Sequence, residues 1–150
     1  MPQCRYQKLL AMLAYAGTLP LIFCVFAAWL ALPHPRQLLS WDLIGLHYGA
    51  LIAAFMSGIL WAVGLILEAA SSRVLIVFSN VIVLIVFFCG VLLSALANAI
   101  VLIVVFLFLY SVDAYLAKCS LLPVQYLRIR RGVTGIVVLC FVVMGFQLIV

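Results

Sequence analysis

The sequence predicts an all-α membrane protein, a bundle of five transmembrane helices, and three observations predict it. The chain has 150 residues, of which 71% are hydrophobic and 7% charged, with a mean hydropathy of +1.47. A soluble domain is about 45–50% apolar and about 25% charged, so this chain cannot cover itself with polar surface in water. Its apolar residues fall into runs of the length a bilayer demands, about 20 residues each. Its charges fall in the gaps between those runs.

The first run is 9–32, preceded by Arg5 and Lys8. It is much longer than the roughly 7–15 apolar residues of a signal peptide, so it reads as a retained span. Pro20 lies mid-run and predicts a kink, because it removes one backbone donor. "PHPRQ" at 33–37 is a stop and turn. The second run is 43–67, with Ser40 or Asp42 placed to cap its start. "EAASSR" at 68–73 ends it.

The next 43 residues, 74–116, contain one charge, Asp113. As a single helix they would reach about 65 Å, twice the hydrocarbon thickness. They must fold back, and the least apolar point is "SALAN" at 94–98. This predicts a third helix over 74–92 and a fourth over 97–116. The stretch 117–132 reads as the most polar loop, and the fifth helix as 133–150. No linker, repeat or low-complexity tract divides the chain, so residues 1–150 form one polytopic domain.

Lysine and arginine set the expected orientation. With the amino terminus in the cytoplasm, Arg5, Lys8, Arg73, Lys118, Arg128, Arg130 and Arg131 all face inward and only Arg36 faces outward. The expectation is therefore N-in and C-out, in a bacterial inner membrane or, in a eukaryote, the mitochondrial inner membrane. Trp29, Trp41 and Tyr48 then fall near the outer boundary, and Tyr6, Tyr110, Tyr115 and Tyr126 near the inner one. The formal charge of +5 serves topology on this reading, and nucleic-acid binding is not expected. The basic inner loop also suits anionic headgroups.

The second helix is built from small residues. Gly45, Gly49, Ala53 and Ser57 form one i, i+4 row, and Ala50, Ala54, Gly58 and Ala62 a second beside it. Between membrane helices the hydrophobic drive is weak, and small residues let backbones approach closely. This helix is expected to be the central packing element, with Tyr48, Ile52, Phe55, Met56, Ile59 and Val63 turned to lipid or larger gaps. His47 is expected within the small arc near the outer end, and Trp61 interrupts the arc at depth. The same face is also a possible homodimer contact.

Four stretches in this order, "GTLPLIFCVF" (17–26), "HYGALIAAFMSGILW" (47–61), "LYSVDAYLAK" (109–118) and "LLPVQYLRIRRGVTGIVVL" (121–139), are familiar. They resemble the family called domain of unknown function 3429, which includes the mitochondrial transmembrane protein 69 group. The family pattern has Trp-Gly where this chain has Trp61-Ala62. The resemblance implies a small multi-span membrane protein and implies no catalytic activity.

Ionisable groups inside a membrane are costly and mark sites worth weighing. Asp113 lies one turn from the inner end of the fourth helix, and Arg128, Arg130 and Arg131 follow a short loop. A salt bridge between Asp113 and one of these arginines is the expected arrangement; the alternative is an ion-coupling carboxylate. His47 reads as a boundary histidine, with a proton or ligand site as its alternative. His34 and Asp42 give only a weak metal hint, and Glu68 and Arg73 a loose surface pair. Asn80, Asn98, Ser57, Ser79 and Ser94 read as interhelical glue.

The five cysteines, 4, 24, 89, 119 and 140, form no Cys-x-x-Cys pair and read as small hydrophobes and free thiols. No cofactor or metal is implied. With three acidic residues at scattered positions and no nucleophile, phosphate-loop or zinc motif, the chain is not expected to be an enzyme. The expected function is a non-enzymatic interaction or assembly protein, partnered by the lipid bilayer and by its own copies or another membrane protein. The alternative is a small permease-like subunit using Asp113 and His47 as polar sites.

Overall fold

The first apolar run is a broken helix. In the computed structural model, which describes residues 2–32, 40–67 and 70–149 (excluding the side chains at 2–7 and 67–72), α1 (Pro2–Ala16) stops at a turn over Gly17 and Thr18. The helix resumes as α2 (Leu19–Trp29). The break falls ahead of Pro20, where a kink was expected, because in the first turn of a new helix proline's missing N–H costs no hydrogen bond. A broken helix in hydrocarbon exposes backbone groups, and here they find partners. Tyr48 Oη donates to the Gly17 carbonyl at 2.8 Å, and Thr18 Oγ1 donates to the Tyr15 carbonyl at 2.8 Å.

The remaining helices are α3 (Trp41–Leu67), α4 (Ala70–Leu92), α5 (Ala95–Lys118) and α6 (Val124–Gln147). Among the described residues the fold is all helical, with five segments long and apolar enough to cross a membrane. They are Lys8–Trp29, Trp41–Ile66, Arg73–Leu92, Ala95–Lys118 and Val124–Gln147. Serine starts two of the helices. Ser40 Oγ accepts from the Leu43 amide, and Ser94 Oγ from the Ala97 amide, so both helices begin two residues before the expected point.

The expected loop at 117–132 is much shorter than predicted, and the last helix starts at Val124 and not at 133. Helix α5 ends with Ser120 at φ 60°, where the Leu121 amide bonds the Leu116 carbonyl and the Ser120 amide the Ala117 carbonyl. That pairing satisfies the last carbonyls of α5 and turns the chain sharply. Pro123, extended at φ −64° and ψ 138°, then opens α6. The arginines that look like a loop in sequence therefore lie on a helix. The reason is burial: Arg130 shares the packed face of α6 with Val133, Val137, Phe141 and Met144.

Helix α3 occupies the centre, packed by α2, α4, α5 and α6. Its first small-residue row is the packed one. Gly45 faces Met144 and Cys24, and Gly49 faces the ring of Phe141, so α6 lies where a larger residue would not fit. Ala53 and Ser57 continue this row, fully buried. Ser79 Oγ donates to the Ser57 carbonyl at 2.8 Å and ties α4 to α3. Around this row sit Leu21, Leu46, Leu102, Phe106 and Phe141, with the last two rings 5.9 Å apart.

The second row differs from expectation. Ala50 and Ala54 are half-buried, but Gly58 is exposed with open space where a Cβ would stand, and Trp61 is 45% exposed. The two rows therefore differ: the first stays buried through Ser57, while the second is half-buried at Ala50 and Ala54 and open at Gly58. Of the bulky arc, Phe55 is 72% exposed, whereas Tyr48, Ile52, Met56 and Ile59 are half-buried along a cavity wall.

These contacts set the two glycines apart. Gly49→Ala should lower stability in detergent by about 1–3 kcal/mol through overpacking against Phe141, while Gly58→Ala should be neutral or slightly stabilising. Both gain the same helix propensity, so parallel thermal melts of the two variants isolate the packing difference.

Candidate functional site at a membrane-buried ion pair

Helices α5 and α6 each carry one charged residue in phase with their buried stripe. On α5 the stripe is Asn98, Leu102, Val105, Phe106, Leu109, Asp113 and Leu116. On α6 it is Arg130, Val133, Thr134, Val137, Cys140, Phe141 and Met144. Steps of three and four residues place each set on one face. The short turn at 119–123 sets the helices side by side, and the two charges meet.

Arg130 Nε donates to Asp113 Oδ2 at 2.6 Å, and both side chains are 4% exposed. Arg130 Nη1 also faces the Met56 sulfur, so the guanidinium bridges α5, α6 and α3. Isolated, either charge would be very costly in this setting; together, each supplies the other's counter-charge. The neighbouring arginines lie off the stripe. Arg131 is exposed and donates through Nε to Tyr110 Oη at 3.1 Å, a second tie from α6 to α5, and Arg128 is exposed.

A cavity of about 550 Å³ lies beside the pair. Leu10, Leu13 and Gly17 line it from the first span, Ile52, Phe55 and Met56 from α3, and Tyr126, Arg130 and Val133 from α6. It exists because α2 packs on α3 and α6 while α1, beyond the Gly17–Thr18 break, leans chiefly on α6. Tyr15 of α1 closes directly over Gly132 of α6.

The other residues singled out from sequence do not join this site. His47 is exposed on α3, and its Nδ1 lies 2.6 Å from the Leu43 carbonyl oxygen. A carbonyl only accepts, so Nδ1 carries the proton. His47 thus stands outside the packed arc where it was expected, because Gly45 and Leu46 take the inward positions. Asn80 bonds the Ile76 carbonyl of its own helix, and Ser94 is a cap, so of the polar residues read as glue Ser79 makes the interhelical bond. Asp42 is half-buried; His34, Arg36 and Glu68 lie outside the described residues, as do the side chains of Arg5 and Tyr6. Among the described residues no three of His, Cys, Asp and Glu lie together in a metal-holding group. Cys24 and Cys140 are buried free thiols, Cys89 is half-buried and Cys119 exposed.

Met56, Tyr126 and Thr18 belong to the site and were not assigned to it by sequence. Tyr126 carries a usable signal, since it stands four residues before Arg130 and so shares its helical face once the helix is known to begin at Val124. Met56 and Thr18 carry none, because an apolar thioether and a helix-break hydroxyl take their role from tertiary contact.

A family model described as protein of unknown function (DUF3429) matches residues 6–146, nearly the entire chain. The chain belongs to this family. No curated protein and no solved structure matches it. In this DUF3429 member the matched region contains both partners of the ion pair and every residue lining the cavity.

Removing one partner leaves a buried charge uncompensated, so Asp113→Ala and Arg130→Ala should each cost about 3–5 kcal/mol. The double variant should cost clearly less than their sum, and Arg128→Ala should stay within about 0.5 kcal/mol of wild type. Unfolding titrations in mixed detergent micelles measure all four.

Proposed function

We propose that this protein is a non-enzymatic membrane protein that works by interaction, as a rigid helical scaffold on which other membrane components assemble. The supporting observation is the use of its polar groups. The buried ion pair joins α5, α6 and α3, Ser79 joins α4 to α3, and Tyr48 seals the α1–α2 break. These groups hold helices together, and large apolar side chains face outward along the spans, including the Phe87, Val91 and Leu92 face of α4.

The partners are the bilayer and a second membrane protein or a second copy of the chain. A second copy would not dock on Gly45, Gly49, Ala53 and Ser57, since the chain's own side chains fill that row.

We place the protein in a bacterial inner membrane, or in the mitochondrial inner membrane of a eukaryote, with its amino terminus inside. Successive spans alternate in direction, which gathers Lys8, Arg73, Lys118, Arg128 and Arg131 at one end. That is the asymmetry cytoplasmic loops carry.

The cavity is the observation that favours a permease-like subunit as the second reading. Its lining is nearly all hydrocarbon, however, Asp113 is held by Arg130, and His47 stands outside it.

Crosslinking through Lys8 and Lys118 in native membranes, read by mass spectrometry, should return a discrete membrane-protein partner or the chain itself. Solute flux in liposomes that disappears with Asp113→Asn would replace this reading with transport. Cysteine placed at 128 should react with an impermeant maleimide from the cytoplasmic side only.

A further inference from the structure

Two hydrogen-bond donors meet at one end of the apolar cavity. Tyr126 and Arg130 are four residues apart on α6, so they share a face, and both line the cavity. The Tyr126 hydroxyl is buried with no hydrogen-bond partner among the described residues. Arginine has five N–H donors. In Arg130, Nε serves Asp113, and among the described residues Nη1 faces a methionine sulfur, which is a weak acceptor.

The other hydroxyls in the lining, Thr18 and Tyr48, already donate to backbone carbonyls. The remaining walls are almost entirely hydrocarbon, and the most exposed lining residues are Leu13 on α1 and Leu51 and Phe55 on α3. These residues lie within the segments long and apolar enough to cross a membrane, so in a bilayer this exposed side of the cavity faces lipid.

The charges narrow the occupant further. Asp113 neutralises Arg130, so the two deep donors suit an uncharged acceptor; an anion placed there would confront the Asp113 carboxylate. Beyond them, at the same end of the bundle, Lys8, Arg73, Lys118, Arg128 and Arg131 are exposed cations. An acyl chain, then an ester carbonyl, then a phosphate is the order of groups this layout matches. Arginines and lysines at a membrane surface each contribute about 1 kcal/mol toward anionic lipid, and a volume of about 550 Å³ lies within the ordinary range of ligand sites.

We propose that the cavity between α1, α3 and α6 binds one acyl chain of an anionic glycerophospholipid, with its ester carbonyl on Tyr126 Oη and Arg130 and its phosphate among the exposed cations. The site is independent of the scaffold role: it stands or falls on lipid selectivity, whether or not a protein partner is found.

The test uses the full chain in phosphatidylcholine vesicles doped with phosphatidylglycerol bearing a diazirine on its acyl chain. After irradiation, labelled residues are mapped by mass spectrometry. Labels should concentrate on 10–18, 48–59 and 126–137 and exceed those on the equally apolar α4 face around Phe87 and Val91. The same diazirine on phosphatidylcholine should label the cavity weakly.

Tyr126→Phe should reduce cavity labelling about three- to tenfold, the effect of one lost hydrogen bond. Ile52→Trp, which fills the cavity, should abolish it. Both variants leave the ion pair untouched, and an unchanged melting temperature verifies their fold. Equal labelling of cavity and α4 face, equal labelling by both headgroups, or labelling indifferent to both variants would overturn the proposal.

Discussion

Hydrocarbon offers no hydrogen bonds, and this constraint decides how the bundle is built. A polar group at depth must find a partner inside the chain or carry its full desolvation cost. The Asp113–Arg130 pair is the extreme case, two charges made tolerable only by each other. Its consequences extend outward. It fixes the rotation of α5 against α6, and through Met56 it ties both to α3. Once that register is set, Gly45 and Gly49 fall opposite Met144 and Phe141, which is what lets α6 lie close to the central helix.

Much of the architecture was legible because lipid simplifies the reading. Five apolar runs became five spans, and the fold-back came from length, its place near Ser94 from the least apolar stretch of the run. The site was partly legible: an acid in one span and three arginines after a short loop invite a pair. What singles out Arg130 is phase, since it falls in step with Val133, Val137 and Met144 whereas Arg128 and Arg131 do not. That phase became readable only when α6 began at Val124, and hydropathy hid this start because arginines lower it. The small-residue rows pack over less of their length than composition implies, for a related reason. Composition marks a helix face that permits close approach, but only the neighbours decide where approach occurs. They arrive at Gly45 and Gly49 and are absent at Gly58.

The cavity illustrates what composition cannot supply. Half of its lining residues are ordinary leucines, isoleucines and valines, which nothing in composition marks as cavity walls. It arises because two halves of one membrane crossing follow different partners, α2 lying on α3 and α6 while α1 leans on α6. Tyr48 sits at the junction, donating to the Gly17 carbonyl and lining the space beneath it. One side chain thus compensates the break and borders the opening that the break creates.

Pro20 gives that opening a durable origin. An imide nitrogen has nothing to donate, so no shuffling of side chains could restore the backbone hydrogen bond missing at Pro20. The weak point beside the hollow is therefore inscribed in the covalent chain from the moment of synthesis. Truncating the tyrosine that tethers Gly17 would loosen the joint without healing it.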